Sequence, residues 1–386
     1  MSWIDGFTFD LSEDEKMVQG IAREFAEKEL KPIAAALDHE HKFPSGIVPK
    51  LGELGFMGIC VPEELSGSGL SQVAYTLIGE EIAAGCASTC VIMSAHNSLA
   101  IAPIMAYGTE QQKKKFVPDL ATGKQIGCFA LSEPGTGSDA SNLQCTAKKV
   151  GDKYIINGTK NWITNAPVAG TCVLIAMQDP SKGHKGVSAF VHSMDLKGIS
   201  VGKKEEKLGI CASPTASIHY DNVELSAENL LGAEGEGFKI SMNCLNGGRI
   251  GIGAQAVGIA RSALSAAIEY GKQRKTFDKP IVEHQSIQNY LAEMICQIDA
   301  ARFLTLSAAR LKDQGKNYIR QAAMAKLYSS EMASFVANKA LQIHGGYGYV
   351  KEYPVERHLR DAKITEIYEG TSEIQKLVIA GQLLRE

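Results

Sequence analysis

The sequence predicts an α+β fold in three parts: helices over 1–122, a middle antiparallel β-domain over 123–233, and helices again over 234–386. Two observations predict it. Apolar residues recur at helical spacing at both ends of the chain, and between them that spacing gives way to short β-branched runs separated by turn dipeptides. A length of 386 residues with 45% hydrophobic and 22% charged content fits a globular chain of two or three domains.

The first part opens with Ser12-Glu-Asp-Glu15, a capping box, followed by Met17, Ile21 and Phe25 at four-residue spacing on one helix. Pro32 and Phe43-Pro-Ser-Gly46 break the pattern. A second apolar region, 75–106, is rich in Ala, Ser and Cys, so its helices pack closely. Lys113 to Lys115 reads as a solvated helix face. Helical spacing stops at Gly123. Gly151-Asp152 and Asn157-Gly158 are hairpin-type dipeptides around a strand at 153–156. Further strands are predicted at 171–177, 187–191, 216–220 and 223–225, enough for a compact antiparallel sheet or barrel. From Gly235 three long Ala-rich helices follow, over about 238–274, 285–314 and 318–343, interrupted by Gly315-Lys-Asn317 and His344-Gly-Gly-Tyr-Gly348.

Composition excludes several functions. A net charge of −3 gives no general affinity for nucleic acid or an anionic membrane. The start of the chain, through Leu11, is acidic and mixed, unlike a signal peptide, and no apolar run is expected to approach a membrane span. The nine cysteines are scattered, with no Cys-x-x-Cys pair, which predicts reduced thiols in a cytosol-like compartment and no metal site.

The most informative stretch is Glu366-Ile-Tyr-Glu-Gly-Thr-Ser-Glu-Ile-Gln375, which places Glu369 between an aromatic residue and a glycine just ahead of a helix start. Apolar surroundings raise a carboxylate's pKa because desolvation disfavours the charged form. Such a group suits abstraction of a weakly acidic carbon-bound proton. On local sequence alone, a solvated Glu before a helix cap fits as well. Ser372-Glu-Ile-Gln375 itself reads as a capping box, whose free N–H groups favour an anion.

Upstream, Phe129-Ala-Leu-Ser-Glu-Pro-Gly-Thr-Gly-Ser-Asp139 runs from a strand into a loop whose N–H groups and hydroxyls suit a polar heterocycle or an anion. Trp162, in Asn161-Trp-Ile-Thr-Asn165, offers a stacking face or a core residue. Arg274, near Phe277 and Gln285, has the donor fork for a pyrophosphate, or simply ends a solvated helix. Gly251-Ile-Gly-Ala-Gln-Ala256 matches the dinucleotide fingerprint by letters, but no βαβ alternation surrounds it, so it reads as small residues at a helix–helix contact.

Together these motifs resemble the acyl-CoA dehydrogenases, flavoproteins that introduce a 2,3-double bond into acyl-CoA thioesters. The resemblance covers about 11–384 and rests on 129–139, Trp162-Ile-Thr164, Gly202-Lys-Lys-Glu-Glu-Lys-Leu-Gly209, Gln342-Ile-His-Gly-Gly346 and Tyr368-Glu-Gly-Thr371, all in the family's order. It is nearest the short-chain or butyryl-CoA branch of fatty acid β-oxidation, above all through 357–369. It implies a C-terminal four-helix bundle, a homotetramer and an FAD site completed by a neighbouring subunit.

The family's base would be Glu369, removing the α-proton while a β-hydride passes to the flavin. FAD contacts would come from Phe129, Ala130, Leu131, Ser132, Gly137, Ser138, Trp162, Ile163 and Thr164. Arg274, Phe277, Gln285, Gln342, Ile343, His344, Gly345 and Gly346 would serve its pyrophosphate and adenosine part. Thr371, Ser372 and Glu373 would close over it. Ser138, Asn246, Gly247, Gly248, Arg249 and Gly370 would contact the acyl-CoA thioester. Some relatives carry the base at the position of Gly248, which glycine cannot supply. Asn246 departs from the Asp common in short-chain relatives. Cys90 stands where the glutaryl-CoA branch has an Arg for a second carboxylate, which disfavours a dicarboxylic substrate.

The resemblance further implies electron transfer to an electron-transfer flavoprotein. A short branched or cyclic acyl-CoA is a second reading, with unchanged chemistry. A non-catalytic acyl-CoA or flavin-binding scaffold and an acyl-CoA oxidase are others. The expected location is a bacterial cytoplasm, with a mature mitochondrial protein as the other reading.

Overall fold

A computed structural model describes residues 9–385. The start of the chain through Thr8, most of the segment read for a leader, and Glu386 lie outside them. The capping box forms as its residues require. Ser12 Oγ accepts from the Glu15 N–H, and the Glu15 carboxylate accepts from the Ser12 N–H, starting α1 (Glu13–Phe25). The face that α1 buries is not the one its four-residue spacing implied. Val18, Ala22 and Phe25 turn inward with Glu15 and Gln19, while Met17 is 61% and Ile21 41% exposed. The polar residues hold inward positions because partners meet them. Arg310 donates to Glu15 at 2.9 Å, and Gln19 donates to Glu81 at 2.8 Å.

Two short helices, α2 (Ala34–His39) and α3 (Ile47–Glu53), lead to α4 (Gln72–Gly85), α5 (Ala87–Ala95), α6 (Ala102–Tyr107) and α7 (Glu110–Ala121). From α5 to α6 the chain is one apolar helical run, Ala87–Tyr107, of 21 residues with mean hydropathy 1.4. That corrects the expectation that no apolar run reaches membrane-span length. Its most apolar window is 67% buried inside the protein.

The sheet contains β1 (Gly127–Ala130), β2 (Thr146–Val150), β3 (Lys153–Thr164), β4 (Thr171–Met177), β5 (Val187–Ser193), β6 (Ile199–Val201), β7 (Thr215–Ser226) and β8 (Leu230–Leu231). Its order is β6-β7-β3-β2-β4-β5-β8, with β1 beside β4. Pairing is antiparallel except at β1–β4 and β2–β4. Gly151-Asp152 makes the β2–β3 hairpin. Asn157-Gly158 does not turn the chain. There β3 bulges against β7 and runs on. Gly158, at φ +143°, permits this because a Cβ would lie 2.6 Å from the Cα of Cys145.

The remainder is helical apart from a small hairpin, β9 (Lys275–Thr276) and β10 (Lys279–Pro280). It comprises α8 (Gly237–Gln273), α9 (Gln285–Asp313), α10 (Ile319–His344), α11 (Val355–Ile364) and α12 (Ser372–Leu383). Helices α8, α9 and α10 pack on one another, α12 lies on α10, and α8 also packs along α4. The small residues read as a helix contact do this work. A Cβ on Gly253 would lie 3.0 Å from Thr305 Oγ1, and one on Gly251 would lie 2.6 Å from Tyr75 Oη. Between these helices sits a buried ion cluster. Arg302 donates to Glu80 at 2.8 Å, Arg261 to Glu80, and Arg261 to Glu81 at 3.1 Å.

Candidate active site

Glu369 sits in the turn between α11 and α12, with φ +53°, and is followed by Gly370 at φ +97°. Few residues other than glycine or asparagine hold such a backbone without support. Support comes from two donors. Lys326 Nζ on α10 donates to the Gly370 carbonyl at 2.7 Å, and Gln375 Nε2 on α12 donates to it at 2.8 Å. Thr371, not Ser372, caps α12, its hydroxyl accepting from the Ile374 N–H. This moves the predicted cap back by one residue and leaves Ser372 Oγ buried without a hydrogen-bond partner among the described residues.

Part of Glu369 reaches the surface, but its Oε2 is buried and has no hydrogen-bond partner among the described residues. Burial pushes the carboxyl up to about 7, against the pull of Lys326 and Arg249. The structure brings Gly248 to this carboxylate: a Cβ there would lie 2.9 Å from the Glu369 Cδ and closer still to Oε2. On the same stretch of α8, Arg249 is buried, with Nη1 donating to Asn246 Oδ1 at 2.6 Å and Nε without a partner among the described residues. Burial lowers the Arg249 pKa. Tyr368 donates to Gln255, whose amide donates to the Ala87 carbonyl at 3.0 Å. Thus the structure brings Gly248, and Arg249 with Asn246 bonded to it, up to Glu369 and Gly370, whereas a Cβ on Gly247 would lie 2.9 Å from Lys312 Nζ instead. Lys326 and Gln375 belong with them and were missed. A lysine in an Ala-rich helix carries no local signal of its burial.

A second group joins the sheet's loops. Phe129 and Ala130 end β1, and the loop through Ser138 leaves Gly137 and Ser138 exposed. Ser132 accepts from the Asn161 N–H at 2.8 Å, tying this loop to β3. Trp162 is 60% exposed at φ +61°, which excludes a core role, while Ile163 beside it is buried. A brace inside the loop escaped the sequence reading. Lys160, fully buried, donates to Glu133 at 2.7 Å and to the Leu131 carbonyl at 2.9 Å. Glu133 also accepts from the N–H groups of Gln144 at 2.6 Å and Cys145 at 3.0 Å.

A third group lies elsewhere. Arg274, Ile343, His344, Gly345 and Gly346 line a cleft of about 870 Å³. Arg274, Gln285 and Gln342 are exposed, and Phe277 is 90% exposed. Gly248 and Arg274 are separated by most of α8, about 39 Å at roughly 1.5 Å per residue. One chain therefore does not gather all the predicted residues around one point.

A carboxylate raised to about 7 in a half-buried turn, opposite a helix that leaves it room, is a candidate for acid–base chemistry. Family profiles give the chemistry. Residues 12–124 match "Acyl-CoA dehydrogenase, N-terminal domain", 128–223 the middle domain and 235–384 the C-terminal domain of the same family. The chain belongs to the acyl-CoA dehydrogenase family, FAD-dependent oxidoreductases acting on acyl-CoA. It is 52% identical over 376 residues to the rat (Rattus norvegicus) short-chain specific acyl-CoA dehydrogenase, mitochondrial, covering 97% of this chain and 91% of that protein. Butyryl-CoA dehydrogenase from Megasphaera elsdenii superposes with a TM-score of 0.96 at 45% identity, over 98% of this chain and all of that one. A chain from a structure of the electron transferring flavoprotein of Acidaminococcus fermentans gives 0.97 at 47% identity, over 98% of this chain and 100% of its own.

Proposed function

We propose that this enzyme forms the 2,3-double bond of a short, monocarboxylic acyl-CoA, with Glu369 as the base, and passes the electrons to an electron-transfer flavoprotein. The observation that carries this is the Glu369 carboxylate: buried, held at about 7, unbonded at Oε2 and facing the gap at Gly248. At neutral pH about half of such groups are ionised, and the proton they take returns readily to solvent. FAD, when bound, would supply the acceptor for the hydride leaving the β-carbon. The chain's own residues do the rest. Glu369 takes the α-proton. Its backbone N–H donates to no acceptor among the described residues and so is free to polarise the thioester carbonyl. Asn246 engages Arg249, so its role in this reading is to orient Arg249 rather than to reach the CoA.

The residues fit FAD. The open face of Trp162 offers a stacking surface, the loop ending at Gly137 and Ser138 offers donors, and the unbonded Ser372 Oγ waits at the head of α12 with Thr371 and Glu373 beside it. Arg274, Phe277, Gln285 and 342–346 lie too far along α8 to serve the same flavin ring. They support a homo-oligomer, a tetramer in this reading, in which they complete a neighbour's cofactor site.

The surroundings of α8 support a short chain. One turn beyond Gly248, about 5 Å, Gly251 faces the Tyr75 hydroxyl, which is itself bonded to Ser94 at 2.7 Å. These hydroxyls favour a short acyl tail over a long one. Cys90 is fully buried with Sγ donating to the Gly79 carbonyl at 3.3 Å, and it offers no cation to a second carboxylate. The electron-transfer flavoprotein as acceptor is supported by the Acidaminococcus likeness.

The test is flavin bleaching under anaerobic conditions with butyryl-, hexanoyl-, octanoyl-, isobutyryl- and cyclohexanecarboxyl-CoA. Butyryl-CoA is expected to reduce the flavin fastest, and Glu369→Gln to stay yellow while losing at least about 10²-fold in reduction rate. Faster reduction by octanoyl-CoA overturns the short-chain reading. Near-normal reduction by the mutant overturns the base.

A further inference from the structure

Of the two groups near Glu369 that the sequence motifs missed, Lys326 and Gln375, Lys326 carries the charge. Its side chain, on α10, is 0% exposed. Among the described residues no carboxylate lies within ion-pair distance of it. Its only hydrogen bond among those residues is the one to the Gly370 carbonyl at 2.7 Å. An ammonium without a bonded counter-charge is expensive to bury. A neutral donor would hold a carbonyl nearly as well, and Gln375 Nε2 already does so at 2.8 Å. The charge therefore has a second target, and the turn it grips contains the Glu369 carboxylate.

We propose that Lys326 is a positioning residue for the dehydrogenation. It fixes the strained Glu369–Gly370 turn through the Gly370 carbonyl and sets its positive charge against the Glu369 carboxylate. This rests on Glu369 being the base. The charged groups facing Lys326 are Glu369 and Glu366 from the turn after α11, Glu373 from α12 and Arg249 from α8. Of these, Glu366 is already bonded to Ser334 and to Lys363, at 2.7 Å for the latter, and Glu373 is exposed. Arg249 repels the ammonium, so Glu369 is the buried counter-charge that remains.

The consequence is a divided labour. Burial raises the Glu369 carboxyl, and the Lys326 ammonium, with Arg249 second to it, pulls it back to about 7. Burial in turn lowers Lys326 to about 8, with the Glu369 charge opposing that fall. Between these values the site holds an ionised base beside a protonated lysine. Tyr75, Tyr368 and Cys244 also feel the Glu369 charge, but each is pushed further from ionisation and stays neutral throughout.

The test compares wild type with K326R, K326Q and K326M. The measurement is kcat/KM for butyryl-CoA against pH, together with FAD content. K326Q keeps a donor for the Gly370 carbonyl and loses the charge. Its acid limb, and that of K326M, is expected to move up by about one pH unit, since an opposite charge at close range shifts a carboxyl by roughly 1–3 units. At pH 6 that is about a tenfold loss in kcat/KM. K326R is expected to keep the wild-type limb. The carboxyl band that disappears in Glu369→Gln can also be titrated by infrared difference spectroscopy, so a variant that holds FAD poorly still gives an answer. Unshifted titration of Glu369 in both K326Q and K326M overturns the proposal and leaves Lys326 a mere strut. That result with an inactive Glu369→Gln overturns the Lys326 inference alone. An active Glu369→Gln overturns the base assignment beneath it.

Discussion

Gly248→Ala tests the active-site geometry with a single methyl group. The new Cβ would lie 2.9 Å from the Glu369 Cδ and inside the contact distance of Oε2. Carbon atoms settle at about 3.5–4.0 Å, so the carboxylate must retreat by on the order of 1 Å. It has little room, because Lys326 and Gln375 pin the backbone that carries it. A misplacement of about 1 Å at a reacting group costs roughly 10²-fold in rate. The helix itself does not suffer, since Ala is favoured over Gly in a helix interior by up to about 1 kcal/mol. The expected result is a yellow, folded protein with an unchanged melting temperature and a rate of anaerobic flavin reduction by butyryl-CoA lower by about 10²-fold. A rate within about twofold of wild type would refute the claim that Gly248 is present to make room for the base.

Other outcomes follow from the same geometry. The Glu369 carboxyl is raised from 4.5 to about 7 in the folded state, so its ionisation there opposes folding. Glu369→Gln should therefore melt higher than wild type at pH 8, by up to about 3 kcal/mol of stability. The gain should shrink as pH falls through 7 and vanish below about 4.5, and equal melting at pH 8 would contradict the burial. Lys160→Met strips the partner from Glu133, which is 4% exposed, and a broken buried pair costs about 3–5 kcal/mol. Urea unfolding should show that loss, and FAD should wash out with it. Arg274→Ala, at an exposed site, should leave the helical circular dichroism intact and increase FAD loss on dialysis; full retention would remove Arg274 from the cofactor site.

The long helices were legible because their punctuation is strong. The structure begins α8 at Gly237 and ends α10 at His344, each within a residue of where glycines and periodicity put them. Glu369 was legible as a motif, but its burial was not, because Gly248, Lys326 and Arg249 reach it from other helices. Spacing misled in α1, where Met17 and Ile21 face out. Glu15 and Gln19 were drawn in by Arg310 and Glu81, partners 295 and 62 residues away. Asn157-Gly158 misled for the opposite reason. A dipeptide that turns a free chain here lets β3 cross close to Cys145, a demand set by the neighbouring segment.

The ion cluster at Glu80 bears on how the chain is born. Glu80 is 1% exposed, and its cations, Arg261 and Arg302, lie 181 and 222 positions downstream. At about 5–20 residues per second, a ribosome delivers α4 on the order of ten seconds or more before either arginine. Until then this carboxylate has reason to stay in water, so the first helices cannot close around it. The sheet between them emerges, and can fold, during that wait. The two helical ends of the chain then finish together, late, with each arginine acting as a latch on a structure begun long before it was made.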